Sequence, residues 1–467
     1  MRTGLRSGRS RKRKDPRSRK HAGREIVVGR VDKNKDAGGY PVDALVAKRI
    51  GVSYDSLTEE ALEDHQLEAF KRTLRYAKER SDFYAHLYEG IDADDIKSMD
   101  DVRKLPFTSE EDLSGNEWRF LCKSASDVDR IVTVPTTGTS GKQKKLSFSI
   151  EDQQKAIEFI RAGYEVMNCK EGEKMLILMS GTSAGSIGDL VKKAVEPLGM
   201  TIEVFGSVTD IKKAYDKLLE YRPSVVEALP WHAAALASYG KRFGNPEKEF
   251  IRSVNLSADV VPDSVTERIE RLWDCSVHRH YGSTEMCIFG GVECTSHEGY
   301  HIRGCDILYE ITNADENGIG EMVITTLDRK VMPLIRYKTG DIAKFTDKEC
   351  SCGGKLKRIL KVYGRKRNII TFGSHSFMMP SLADAIFRID EAVDFDICIA
   401  NEDMLSICIK TLPGESIERE RALNELIKID ELKCALCDGS LRLDLSFSET
   451  ESFASGYDLK KDLKING

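Results

Sequence analysis

No apolar run in these 467 residues approaches the ~20 that a membrane-crossing helix needs. Nor does the chain open on a basic stretch followed by an apolar one, as a secretory leader does; its first residues are basic throughout. No internal repeat recurs at solenoid spacing. The commonest phosphate motif, G-x-x-x-x-G-K-[ST], is also missing. These absences point away from a helical membrane protein, an exported protein and a repeat array, and make the cytoplasm the expected compartment. Twelve cysteines are present but scattered, without the look of a disulfide framework, so most are expected to be small buried hydrophobes.

What is present is an ordinary globular composition, 40% hydrophobic and 31% charged, on a chain too long for one core. Two or three structural units are expected. Charge is unevenly placed. Residues 1–36 hold 14 Lys/Arg against four Asp/Glu, a surplus of ten, so the rest carries −15 to reach the net −5. An Arg/Lys/Ser/Gly-rich arm of this kind cannot build a core and is expected to be disordered. It reads as an extension without its own function rather than a nucleic-acid tether, because the acidic body would repel nucleic acid.

Helical spacing runs over Pro41–Gly51, Leu57–Tyr88, Gln153–Met167, Ile187–Glu196 and Val208–Tyr221. Between them, strand-length apolar runs fall at Met175–Met179, Thr201–Phe205 and Ser224–Leu229. That alternation predicts α/β units with buried, largely parallel strands. From Tyr309 to Phe345 short alternating strands predict a smaller β subdomain. Beyond Tyr363–Arg367, helices at Pro380–Ile389 and Ser416–Ile429 and strands at Phe395–Ala400 and Leu405–Lys410 suffice for a small α+β domain. The expected divisions are a basic arm (1–38), a large multi-subdomain α/β body (39–363) and a C-terminal domain (364–467).

The stretch Thr136-Thr137-Gly138-Thr139-Ser140-Gly141-Lys142-Gln143-Lys144 is the most informative in the chain. Its glycines free the backbone to close around an anion, its four hydroxyls can donate to phosphate oxygens, and its lysines add positive charge. It lies between Ile131–Val134 and Leu146–Phe148, a strand–loop–strand setting. Three clusters follow in order: Tyr281-Gly282-Ser283-Thr284-Glu285, Arg336-Tyr337-Lys338-Thr339-Gly340-Asp341 and Gly364-Arg365-Lys366-Arg367.

This succession resembles the adenylate-forming superfamily of acyl-CoA ligases, luciferases and peptide-synthetase adenylation domains. Within it the chain is most similar to the phenylacetate-CoA ligase branch, through Thr325-Thr326-Leu327, Met332-Pro333-Leu334-Ile335 and Cys350-Ser351-Cys352-Gly353. The resemblance spans roughly residues 42–467. It implies an α/β body with a small mobile lid, and an ATP-dependent carboxylic acid–CoA ligase that acts through an acyl-adenylate on an aryl or arylacetic acid. The alternatives are an enzyme that loads a carrier protein or leaves AMP on its product, and a silent nucleotide- or acid-binding protein. The implied partners are ATP, CoA and a small carboxylic acid, with Mg2+ as cofactor and no membrane; a homodimer is left open.

By resemblance, Glu285 coordinates Mg2+ at the α-phosphate, a hard ligand for a hard cation. Thr284 hydrogen-bonds the phosphate, and Tyr281 stacks on adenine. Asp341 accepts from the ribose hydroxyls, Arg365 adds a nucleotide contact, and Ser257-Ala258-Asp259 occupies the segment lying along the adenine. The family usually has Pro at Gln143, and an acidic residue or Lys at Arg367. It places a catalytic lysine directly after a glycine near the chain end, whereas here Gly456 precedes Tyr457. Either Lys460 or Lys461 serves instead, or adenylation is impaired. For the acyl pocket the candidates are Ser180, Gly181 and Gly185, a small-residue segment after a strand end that leaves volume for a bulky group, with Trp231 and His232.

Cys350-x-Cys352 and Cys294-x-x-His297 lie in glycine-containing turns and make a Cys3His tetrahedral zinc set, with His301 competing with His297 for the fourth place. Some phenylacetate-CoA ligase relatives are similar in having both halves and a structural zinc. Cys434-x-x-Cys437 looks like a redox pair, but Leu432, Ala435 and Leu436 give it a helical context in which core packing is expected.

Overall fold

Among the described residues the strands begin at Arg130, and the pairing between them sets where the site lies. The structure, a computed structural model, describes residues 40–135, 143–181, 185–453 and 464–465. In chain order the strands are β1 (Arg130–Pro135), β2 (Gln143–Phe148), β3 (Lys174–Leu178), β4 (Thr201–Val204), β5 (Val225–Ala228), β6 (Ser253–Leu256) and β7 (Ser276–Tyr281). There follow β8 (Gly291–Glu293), β9 (Tyr300–Ile302), β10 (Ile307–Thr312), β11 (Gly320–Thr326), β12 (Tyr337–Thr346) and β13 (Arg358–Arg365). The last are β14 (Ile369–Phe372), β15 (His375–Met378), β16 (Ala392–Asn401), β17 (Met404–Thr411), β18 (Arg442–Glu449) and β19 (Lys464–Ile465).

Strands β4, β3, β5, β6 and β7 lie side by side in parallel. β5 is buried along its whole length, as a strand covered on both faces must be. One carboxylate stands in that apolar layer. Glu227 accepts from Tyr164 OH and from Asn255 Nδ2, each at 2.6 Å, and burial pushes its pKa up to about 7. Helices Ile150–Val166, Ile187–Val195, Ile211–Tyr221, Pro230–Gly240 and Asp263–Trp273 alternate with these strands, matching the α/β reading.

The sheet does not stop at β7. Strands β8, β9, β13, β12, β11 and β10 extend it antiparallel to eleven strands. The smaller β subdomain expected from Tyr309–Phe345 is therefore one wing of a single sheet. β1 and β2 pair separately, with Pro135 opposite Gln143. The candidates Thr136, Thr137, Gly138, Thr139, Ser140 and Gly141, with Lys142, lie outside the described residues, as does the basic arm.

Beyond Gly364, the β14–β15 hairpin, helix Met379–Phe387 and a four-stranded sheet in the order β18-β17-β16-β19 form the C-terminal region. It docks on the body through buried Arg268, whose guanidinium donates to the carbonyls of Phe387, Ile389 and Ala392. Local signals place the helix ends. Ser81 closes helix Glu59–Arg80 and caps Asp82–Leu87, dividing what the periodicity alone reads as one stretch. Helix Asp430–Cys437 forms as expected, but Cys434 and Cys437 are exposed rather than packed in the core. Leu432 and Ala435 take its buried stripe, and the helical period turns the cysteines outward. No helix among the described residues is long and apolar enough to cross a membrane.

Candidate active site

Parallel strands in register deliver their following loops to one edge of the sheet. Leu178 of β3 neighbours Ala228 of β5, and Ala228 neighbours Leu256 of β6, which neighbours Arg279 of β7. Residues 179–181, 229–232, 257–259 and 281–285 therefore emerge at the same edge. Asp341 comes from the antiparallel wing, on β12, where it pairs in register with Arg365 of β13.

Tyr281 OH donates to Asp341 Oδ2 at 2.7 Å, and Arg365 Nε lies 3.6 Å from Asp341 Oδ1. Burial, then the nearby Asp341 charge, holds the Tyr281 pKa well above its ordinary value, so the phenol keeps its proton. Ser257 Oγ pairs with His280 Nδ1 at 2.7 Å, Ala258 takes a left-handed φ of 75°, and Asp259 Oδ1 accepts from Val260 N at 2.7 Å. Ala258, Asp259, Tyr281, Gly282, Asp341 and Arg365 line one cleft of about 540 Å³, whose far wall comes from the C-terminal region, Met379 and Lys428 included.

Glu285 sits in the tight turn Thr284–Met286, with Thr284 half-buried at its start. The turn folds back on Gly282, where a Cβ would lie 1.7 Å from Ile288 O, so only glycine fits. Cys287 and Ile288 take left-handed φ values of 56° and 77° to complete it. Glu285 Oε1 meets Lys144 Nζ at 2.5 Å and Tyr337 OH at 3.3 Å, and Lys144 Nζ also lies 3.6 Å from Glu110 Oε1. Burial works to raise the Glu285 pKa, but the Lys144 ammonium outweighs it and holds the carboxyl at about 2. The result is an ionised, buried carboxylate already facing a cation. Ser283 Oγ beside it is buried with no hydrogen-bond partner among the described residues.

The acyl-pocket candidates are placed differently. Ser180 and Gly181 follow β3 at the same edge, but the smallness of Gly181 serves backbone packing: a Cβ there would lie 2.6 Å from Gly188 Cα. It does not provide the open volume that the sequence suggests. Gly185 N donates to Asp189 Oδ2 at 2.6 Å. Trp231 and His232 are buried at the start of helix Pro230–Gly240, with the His232 ring 4.5 Å from that of Phe453. None of these five lines the 540 Å³ cleft. Lys460 and Lys461 lie outside the described residues.

The cysteine set converges, with one change of ligand. Cys294 follows β8, His301 lies in β9, and Cys350 and Cys352 sit in the β12–β13 connection, so pairing of β8, β9 and β13 gathers them. One ligand atom from each of these four lies within 4.8 Å of the others. Cys294 and Cys350 Sγ are 3.5 Å apart, and Cys352 Sγ is 3.4 Å from His301 Nε2. Backbone N–H groups of Ser296 and Gly354 donate to Cys294 and Cys352 Sγ, as suits thiolates. His297 is outside the cluster: its Nδ1 pairs with Glu293 Oε2 at 3.2 Å, in a turn where His297 itself has a φ of 53°. His301, the competing candidate, takes its place because it lies on the strand between the two cysteine loops. Three sulfurs and one imidazole at this spacing fit a tetrahedral divalent metal.

Two residues of the R-Y-x-T-G-D cluster have roles that the motif did not disclose. Tyr337 touches both Lys144 and Glu285. Arg336, just before β12, is buried and forked onto Glu310 of β10 at 3.0 and 3.2 Å. His280, one residue before Tyr281, carried no sequence signal of its own.

No family model matches the chain. The phenylacetate-coenzyme A ligase of Thermus thermophilus is 26% identical over 367 residues, 75% of this chain and 81% of its own. That of Pseudomonas putida is 22% identical over 72% of this chain and 78% of its own. Among solved structures, 2-hydroxyisobutyryl-CoA ligase in the postadenylation state matches with a TM-score of 0.71 at 18% identity, over 87% of this chain and 89% of that one. The ordered motifs and these relatives support the adenylate-forming superfamily and its phenylacetate-CoA ligase-like branch for this chain, and the sheet that gathers the motifs has the fold of the solved ligase.

Proposed function

We propose that the protein is an AMP-forming acid–CoA ligase, with an aryl or arylacetic acid as its substrate. The observation that carries this reading is the meeting of residues from motifs far apart in sequence, Tyr281 with Asp341 and Glu285 with Lys144. The likeness to ligases that make acyl-CoA supports it.

A carboxylate is a poor electrophile, because its charge repels nucleophiles. In the first half-reaction a carboxylate oxygen of the acid attacks the α-phosphorus of ATP, and pyrophosphate leaves. In the second, the CoA thiol attacks the acyl carbon, loses its proton, and AMP departs. Tyr281, Asp341 and Arg365 would hold the nucleoside: the Asp341 carboxylate accepts from ribose hydroxyls, and its bond from Tyr281 fixes the ring against adenine. Lys144, with the hydroxyls of residues 136–140, would meet the triphosphate, and Ser283 offers a buried hydroxyl that has no partner among the described residues. Glu285 fits Mg2+ as a hard ligand held ionised, and the ion would supply charge screening on the phosphates. Zinc in the Cys294–His301–Cys350–Cys352 set would be structural, since all four positions are filled by protein. The C-terminal region, residues 364–467, would act as the lid, with Lys460 or Lys461 completing the adenylation site.

The test is ATP/pyrophosphate exchange across a panel of aryl, arylacetic and short aliphatic acids, with CoA added afterwards. Exchange with an aromatic acid followed by thioester formation is expected, and Glu285→Gln should abolish it in a folded protein. Exchange that survives in Glu285→Gln would remove the assigned metal ligand, and exchange without CoA transfer would reassign the acceptor.

A further inference from the structure

Arg329, in the connection between β11 and β12, is only 4% exposed. A guanidinium so placed is costly unless its donors are used. Its Nη1 donates to the main-chain carbonyl of Glu285 at 2.9 Å, its Nε faces Asp152 Oδ1 at 3.8 Å, and it lies over the Phe148 ring at 5.1 Å. Burial, the larger influence, lowers its pKa, with Asp152 opposing. Asp152 is itself fixed. It closes a capping box with Ser149 at the start of helix Ile150–Val166, directly after β2.

β2 is also the strand that carries Lys144. The segment following the phosphate-loop candidates therefore reaches Glu285 twice. Lys144 meets the side chain, while Asp152 reaches the main chain through Arg329. The peptide so held opens a turn with two consecutive left-handed non-glycine residues, Cys287 and Ile288, a conformation that relaxes unless its surroundings enforce it.

We propose that Arg329 is a positioning residue for adenylation: it fixes the backbone of Glu285 so that the carboxylate is presented to the Mg2+–triphosphate once the ion pair with Lys144 opens. The inference rests on the ligase reading above. A methionine of similar length would satisfy packing more cheaply than a buried cation, which separates this role from a filling one.

Three variants test it: Arg329→Met, Arg329→Lys and Asp152→Asn. The readouts are calorimetric ATP binding across a Mg2+ series, ATP/pyrophosphate exchange with an accepted acid, thioester formation from supplied acyl-adenylate, and thermal melting. For Arg329→Met we expect the Mg2+ needed for half-maximal ATP binding to rise ~10-fold and exchange kcat to fall ~10–100-fold, with the thioester step within ~2-fold of wild type. Arg329→Lys, which keeps the charge and a donor, should recover both to within ~3-fold, and Asp152→Asn should fall between. Wild-type Mg2+ dependence in Arg329→Met overturns the proposal. So does a loss shared equally by both half-reactions, with a lowered melting temperature that Lys does not restore. Should Arg329→Met fail to fold, wild-type Mg2+ dependence in Asp152→Asn overturns it instead. A wild-type protein that binds Mg2+–ATP but exchanges with no acid would sink the ligase reading, while the Mg2+ dependence of binding still decides the role of Arg329.

Discussion

Lys144 and Glu285 form a buried ion pair whose strength can be worked from the carboxyl group. The Glu285 pKa falls from 4.5 to about 2, despite burial that acts to raise it. At ~1.36 kcal/mol per pH unit, that drop corresponds to about 3 kcal/mol of native-state stabilisation. Because the folded pKa is the depressed one, this stabilisation is complete above the ordinary value of 4.5 and is lost as pH falls toward about 2. Lys144→Met removes the cation and leaves a buried carboxylate beside the Tyr337 hydroxyl, so burial prevails and the Glu285 pKa should rise. At pH 7 the single variant should lose ~3–5 kcal/mol, the range for breaking a buried pair from one side. Glu285→Gln should lose less, because Lys144 retains Glu110 at 3.6 Å and the Tyr337 hydroxyl at 3.3 Å. The double variant closes a cycle whose coupling should be about 2–3 kcal/mol at pH 7 and should vanish near pH 2. Urea unfolding followed by tryptophan fluorescence at pH 7, 5 and 3 reads it. Strictly additive losses, or a Lys144→Met loss independent of pH, would refute the pair as the source of the Glu285 shift.

Two further outcomes are expected. The protein should hold about one tightly bound zinc per chain. Cys350→Ser/Cys352→Ser should release it and lower the melting temperature, whereas His297→Ala should keep it; elemental analysis finding no zinc in metal-replete protein, or zinc retained in the double variant, counts against the site. Glu227 carries the opposite linkage to Glu285. Its folded pKa is raised from 4.5 to about 7, so its contribution to stability is complete below 4.5 and is lost as pH rises through 7. Glu227→Gln keeps the acceptor for Tyr164 and Asn255 and should be more stable than wild type by about 3 kcal/mol at pH 8, with the gain gone by pH 4.5. Parallel melting curves from pH 4.5 to 8 would contradict this.

Much of the fold was legible because its signals are local. Apolar runs of strand length between helical periods marked β3, β4 and β5, and the hydroxyl-rich segment between the β-branched run Ile131–Val134 and Leu146–Phe148 marked the connection of β1 to β2. Strand-length runs at Phe395–Ala400 and Leu405–Lys410 marked β16 and β17, which pair at the centre of the four-stranded C-terminal sheet. The order of the motifs named the superfamily, and residue type alone limited Glu285 and Asp341 to anionic roles.

The tertiary structure decided what depends on pairing between distant segments. β7 pairs with β6 on one side and β8 on the other, joining two apparent subdomains into one sheet; a pairing across sequence leaves no mark in either strand. The same pairing chose His301 over His297, because β9 lies between the strands whose loops bear the cysteines. It also turned Gly181 from a source of volume into a contact with Gly188. Charge state was settled there too. Glu285 is a carboxylate at about 2 and Glu227 one at about 7, although both are buried glutamates, because one faces an ammonium and the other only a phenol and an amide. The sequence determines which groups are available, and only the folded chain sets which of them meet in a medium where a single charge decides the pKa.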